Sequence, residues 1–188
     1  AGVPAIVNRI SFTGELGYEI YVAPHFQIKL FEEIMKAGKE FNIKPFGSRA
    51  LMSMRLEKNW GAWTLDYRPD FTAKETGLDK FINWDKEFIG KDYAKKDNSQ
   101  SKLVSLMVET NDIDVTYNEA VMKGDKSIGY VTSGGFAHFV NKSVAFSYLN
   151  KKELNSEKGI QVEINGDLFN CLIIKEPLYD PSGQKMRS

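Results

Sequence analysis

Apolar positions recur at two different spacings along this chain, and the change between them marks its organisation. Ile6 to Phe12 is half alternating and half apolar, and Tyr18 to Ala23 alternates, so two adjacent strands are expected on either side of the stretch GELG. Pro24-His25 ends the second strand. Phe26, Leu30, Phe31, Ile34 and Met35 then recur at helical spacing as far as Gly38, which predicts an amphipathic helix with one buried stripe. A second helix is expected from Ser48, whose hydroxyl is suited to capping, through Glu57. Asn59 to Asp70, NWGAWTLDYRPD, is rich in aromatics and turn formers and reads as a covering loop.

The polar run KKDNSQSK has linker composition, and a boundary is expected between Asp97 and Ser101. Beyond it the spacing changes to short strands at Leu103–Val108, Glu119–Met122, Ser127–Thr132, Ser143–Leu149, Ile160–Ile164 and Leu168–Ile174. Gly124-Asp125 and Asn165-Gly166 stand where tight hairpins need residues tolerant of positive φ. The chain is therefore expected to be of the α+β class, with residues 1–97 as one domain and 102–188 as a small antiparallel barrel or sandwich.

Composition narrows the functional classes. Of 188 residues 42% are hydrophobic, enough for a packed core, and 25 basic residues balance 25 acidic ones. That balance argues against nucleic acid or an anionic membrane as partner and in favour of a small molecule or a protein. No apolar run reaches the roughly 20 residues of a membrane span. One cysteine rules out an internal disulfide and suits a reducing compartment, the cytoplasm or the mitochondrial matrix of a eukaryote. The first residues run almost directly into a strand without an initiating Met, so a piece of a longer protein is expected.

Much familiar chemistry is missing. His25 and His138 belong to no recognisable triad or zinc motif, and no metal site is expected. Cys171, within LFNCLII, reads as a small buried hydrophobe. Asp112, Asp114 and Glu119 lack the spacing and central glycine of a calcium loop and read as a solvated turn, and Ser133 to Gly135 reads as a plain turn. Arg55 and Glu57 lie two apart on different sides of their helix, so they are weighed evenly as structural ion-pair partners. Glu19 stands out. Along a strand it shares a face with Tyr21, opposite Tyr18, Ile20 and Val22, and a glutamate on an open sheet face is the ordinary explanation. The alternative is a carboxylate accepting two parallel N–H bonds from an amidine-like heterocycle, with Phe12, Tyr21, Trp60 or Trp63 stacking on the ring. Glu15 reads as part of the turn.

The order and spacing of FTGELGYEIYV, ALMSMRLEKNWGAW, DYRPDFTAKETGLDKFI and FIGKDYAKK resemble the folate-binding aminomethyltransferases related to the glycine-cleavage T-protein. Within that group DYRPD, the EK of RLEK, Trp63 and the terminal PLYDPSGQKMRS look most like the C-terminal part of dimethylglycine and sarcosine dehydrogenases, and VTSGGFAHFVNKSVAFSYL extends the likeness into the β-rich part. The resemblance implies a partial ferredoxin-like folate-binding domain followed by a small β-barrel. It also implies a tetrahydrofolate site in which the pterin-binding glutamate is Glu19, with aromatics at Phe12 and Trp60. Departures are Phe12 for the usual tyrosine, Leu51 for an arginine, Asn59 for a glycine and Ala73 for a proline. The family's catalytic aspartate would lie in a preceding half, and FAD in a domain further upstream, so this chain carries no catalytic residue and would be inactive alone. The implied activity of the parent is oxidative demethylation of an N-methylglycine with transfer of the one-carbon unit to folate. A standalone aminomethyltransferase, and a folate-fold binding or regulatory module without transfer chemistry, are the alternatives. An exposed apolar sheet face or a self-association surface is expected where the missing half would sit.

Overall fold

A computed structural model describes residues 2–110, 112–155 and 158–187. The first strands are short: β1 (Ile6–Asn8) and β2 (Glu19–Tyr21) pair antiparallel with Ile6 opposite Tyr21 and Asn8 opposite Glu19. Pairing stops after Asn8, where Ile10 N–H turns back to the Asn8 carbonyl at 3.0 Å. A 3-10 turn at Pro24–Phe26 leads into α1 (Gln27–Ala37), which ends at Gly38. There the chain doubles back so closely that a Cβ on Gly38 would stand 2.6 Å from the Ile43 side chain.

Helix α2 (Ser48–Glu57) starts as expected, but Ser48 is its first helical residue and not its cap; Gly47 holds the cap position, without a side-chain hydrogen bond. Asn59 adopts φ 59°, a left-handed conformation that asparagine tolerates better than most residues. Short helices α3 (Ala73–Thr76) and α4 (Lys91–Lys95) follow. Thr72 and Glu75 cap α3 reciprocally, which puts Ala73 at the first helical position, where proline is also favoured.

The remainder is a closed antiparallel barrel of order β3-β6-β5-β4-β7-β8, so the barrel alternative to a sandwich is the one realised. Its strands are β3 (Ser101–Val108), β4 (Ala120–Lys123), β5 (Lys126–Ala137), β6 (Lys142–Asn150), β7 (Ile160–Ile164) and β8 (Asp167–Ile174). Asn165 and Gly166 both have positive φ, as the two-residue turn between β7 and β8 requires. Ser133-Gly134-Gly135 is not a turn: β5 continues through it after a bulge between Val131 and Ser133. The glycine is needed because a Cβ on Gly134 would lie 2.4 Å from the Val115 carbonyl.

Leu106, Val108, Val121, Val131, Leu149, Ile160, Val162 and Ile164 fill the barrel. Cys171 belongs to that core, where burial pushes its thiol up to about 12. Strand β6 is buried on both faces, because its outer side is covered in turn: Leu56 of α2 joins Ala137, Val144 and Phe146 in a second apolar cluster. No helix among the described residues is long and apolar enough to cross a membrane.

Candidate functional site

Glu19 sits on a strand that is open on both sides, since Glu19, Ile20 and Tyr21 are all exposed. The face of Tyr18 and Ile20 is thus not sealed by helices, and the exposed apolar sheet face expected of this segment is present. The Tyr21 hydroxyl donates to Glu19 Oε2, the i, i+2 neighbours that strand alternation places on one face. This bond to a carboxylate raises the tyrosine's pKa.

The other ring candidates lie on the loop before Glu19 and in the covering loop. Phe12 is half-buried at the start of the loop between β1 and β2. Trp60 lines a cleft of about 300 Å³ with Ile10, Ser11 and Gly17, which brings it against the same loop. It also borders a second cleft of about 510 Å³, between Lys80, Phe81 and the barrel residues Leu103 and Phe146. Trp63 turns elsewhere: it is 76% exposed and meets Tyr67 edge-on, with ring centroids 5.5 Å apart. No cluster of three or more His, Cys, Asp or Glu side chains suited to a metal ion occurs among the described residues.

The charged residues of RLEK and DYRPD turn inward. Arg55 and Asp66 are both almost fully buried and form an ion pair at 2.6 Å. Asp66 Oδ2 also accepts from Ala62 N–H at 2.8 Å, while Oδ1 accepts from the hydroxyls of Thr132 at 2.5 Å and Ser133 at 2.6 Å. Tyr148 donates to the Asp66 carbonyl at 2.6 Å. One carboxylate thus joins α2, the covering loop and strand β5. These bonds make the buried charge tolerable, although Arg55 Nε itself is buried without a hydrogen-bond partner. Arg55 is accordingly structural. Glu57 accepts instead from Phe139 N–H, at 2.5 Å, in the turn between β5 and β6.

Lys58 completes the inward set. It is buried and donates to Asp180 Oδ2 and to the Asp180 carbonyl, both at 2.7 Å. The ammonium holds the Asp180 carboxyl below its usual value. Tyr179 N–H donates to the Glu57 carbonyl at 3.0 Å, and its hydroxyl donates to Glu15 in the GELG loop. That bond, the largest influence on it, raises the Tyr179 phenol to about 12. Sequence pattern assigned Glu15 to a turn; its partner lies at the other end of the chain. No local pattern marked these residues as internal, since Arg, Glu, Lys and Asp in a helix end and a loop are ordinarily exposed.

An α+β module with a glutamate on an open hairpin and a closed barrel behind it defines the class, and comparison with known proteins defines the family. Residues 1–86 match the GCVT N-terminal domain and residues 102–180 the glycine cleavage T-protein C-terminal barrel domain. Human mitochondrial dimethylglycine dehydrogenase is 36% identical over 95% of this chain, and the rat enzyme 38% identical over 94%, with 21% of each relative covered. The aminomethyltransferase of Caldanaerobacter subterraneus is 32% identical over 98% of the chain and 50% of the relative. The crystal structure of glycine cleavage system aminomethyltransferase T from Bartonella henselae superposes with a TM-score of 0.82 over 93% of the chain and 50% of that protein, at 22% identity, a likeness of fold. The chain belongs to the glycine-cleavage T-protein (aminomethyltransferase) family. It spans 50% of the length of that aminomethyltransferase and 21% of the dimethylglycine dehydrogenases.

Proposed function

We propose that this chain, as part of its full-length protein, forms the tetrahydrofolate-binding C-terminal region of an enzyme that oxidatively demethylates dimethylglycine or sarcosine and passes the one-carbon unit to folate. The observation that carries the reading is Glu19: an exposed carboxylate oriented by the Tyr21 hydroxyl on a strand with both faces open. A carboxylate fixed in this way suits the paired N–H donors of a pterin, which charge-assisted hydrogen bonds would orient. Phe12 and Trp60 flank the loop leading to it and supply stacking surface. Tetrahydrofolate, when bound, supplies the nucleophilic nitrogen that accepts the one-carbon unit. The contribution of these residues is to bind and orient it. FAD, which such an enzyme uses to oxidise the amine, belongs to a domain outside these residues.

In this reading residues 1–97 and 102–188 are the two domains, and the preceding half of the transferase covers the open hairpin and supplies the catalytic aspartate. Folate and the N-methyl amine are its small-molecule partners, neither nucleic acid nor membrane is engaged, and the protein works in the cytoplasm or, in a eukaryote, the mitochondrial matrix. Identities of 36% and 38% to two dimethylglycine dehydrogenases, against 32% and 30% to two aminomethyltransferases, favour the dehydrogenase over a standalone transferase. Demethylation of dimethylglycine or sarcosine by the full-length protein separates the two.

Calorimetry of the full-length protein with tetrahydrofolate tests the site. Glu19→Gln removes the charge and is expected to weaken binding by roughly tenfold to a hundredfold, the worth of a charge-assisted hydrogen bond. Unchanged affinity would remove Glu19 from the pterin site.

A further inference from the structure

We propose that the C-terminal segment is a clasp that positions the loop between Phe12 and Glu19, with Tyr179, Asp180 and Lys58 as its positioning residues. The inference rests on the folate reading above, since Phe12 and Glu19 are two of the residues assigned to that site.

The need for a clasp follows from the hairpin. Three residues of β1 facing three of β2 hold its ends together, and both strands are largely exposed. An isolated two-stranded ladder is marginal in water. The described residues give it no third strand. The loop must therefore find its order elsewhere, and contacts on it and just before it lead to the C-terminal segment, directly at Arg9 and Glu15 and through Lys58 at Gly14. At the near end, the Arg9 guanidinium donates to the Met186 carbonyl at 3.1 Å. In the middle, Gly14 is buried at φ 87° against Lys58, so closely that a Cβ would stand 2.8 Å from Lys58 Cδ. One residue on, Glu15 accepts the hydroxyl of Tyr179.

The C-terminal segment is itself fixed. Asp180, at φ 42°, accepts from Lys58 and from the N–H groups of Gln184 at 2.9 Å and Lys185 at 3.1 Å, closing a compact turn. Tyr179 is tied by its N–H to the end of α2 and rests edge-on against Phe139, with ring centroids 5.0 Å apart. The end of α2 is anchored to the barrel through Glu57 and Phe139. Rigidity therefore passes from the barrel through α2 and the C-terminal turn to the one loop that must place Phe12 and Glu19 relative to each other. Individual contacts of this kind are modest in energy, so their effect falls on the order of the loop and less on global stability.

The experiment compares Tyr179→Phe, Glu15→Ala, Glu15→Gln and Glu19→Gln in the full-length protein. It measures tetrahydrofolate affinity by calorimetry and amide hydrogen exchange over residues 13–18. Tyr179→Phe and Glu15→Ala are expected to weaken affinity about threefold to tenfold and to speed exchange in the loop. Glu15→Gln keeps an acceptor for the tyrosine and is expected to restore both to near wild type, which a purely structural deletion effect would not do. If exchange in the loop is unchanged in Tyr179→Phe, the clasp is overturned whatever Glu19→Gln does. If exchange quickens but affinity falls only in Glu19→Gln, the folate site stands and the positioning role is overturned. If exchange quickens and Glu19→Gln binds as tightly as wild type, the folate reading fails and the clasp remains as the element that orders the loop.

Discussion

The hairpin and the barrel use similar strand residues to opposite effect. Ile6 and Val7 in β1 are 67% and 56% exposed, whereas Val121, Val131 and Val162 in the barrel are fully buried. Local propensity for a strand is comparable in all of them. What differs is closure: in the barrel every strand has two hydrogen-bonded neighbours and a filled interior, while the hairpin, among the described residues, has one ladder and largely exposed faces. Glu19 and Phe12, proposed to meet folate, lie on the part that is not self-sufficient. The part that is supplies the rigidity.

The largest break in this contrast is expected from Asp66→Ala. It strands the buried Arg55 charge and two hydroxyls of β5, and its cost is about 3–5 kcal/mol in denaturant unfolding, the range for breaking a buried pair. A loss below about 1 kcal/mol would mean that α2 and the barrel are not joined through this carboxylate. Leu149→Ala, in the barrel interior, is expected to cost about 2–4 kcal/mol by opening a cavity.

A smaller effect concerns the clasp and pH. The Asp180 carboxyl titrates below its ordinary value because Lys58 donates to it. Its stabilisation is therefore complete above the unfolded carboxylate value of about 4 and is lost as the pH falls through the lower folded value. The Tyr179 ring resonances are expected to shift in that acid range, and Asp180→Asn should remove the dependence; an identical acid limb in the variant would assign it to another group. Smallest of all, Ile6→Thr on the exposed hairpin is expected to change stability by less than about 0.5 kcal/mol. A loss as large as that of Leu149→Ala would erase the distinction between the two regions.

Periodicity made the barrel legible. Ile160–Ile164 was bounded to the residue, and most other strands to within one or two, because alternation and turn residues act locally. The length of β5 escaped it, since what forces glycine at position 134 is the backbone of Val115, across the fold. The Asp66 network escaped for the same reason: its hydroxyl donors come from residues 66 and 67 positions away. Ser48 misled because a good capping residue one position late looks the same in sequence as one in place. For the site, alternation correctly paired Glu19 with Tyr21, and motif likeness singled out Glu19 over Glu15. Trp63, a candidate ring, meets Tyr67 edge-on beside the left-handed Thr64 at φ 68°.

Asp66 also has a consequence in time. Its donors come from α2, from its own loop and from β5, so none of them repays desolvating the carboxylate until all have arrived. The docking of α2 and its loop is thus expected to be a late event, after β5 and β6 have formed, with a φ-value near zero for Asp66. On a chain made from its N-terminus, the earlier segment must wait for the later one. Residues 50–70 leave the ribosome before Ser133, so RLEK and DYRPD are expected to stay solvated until β5 has been made.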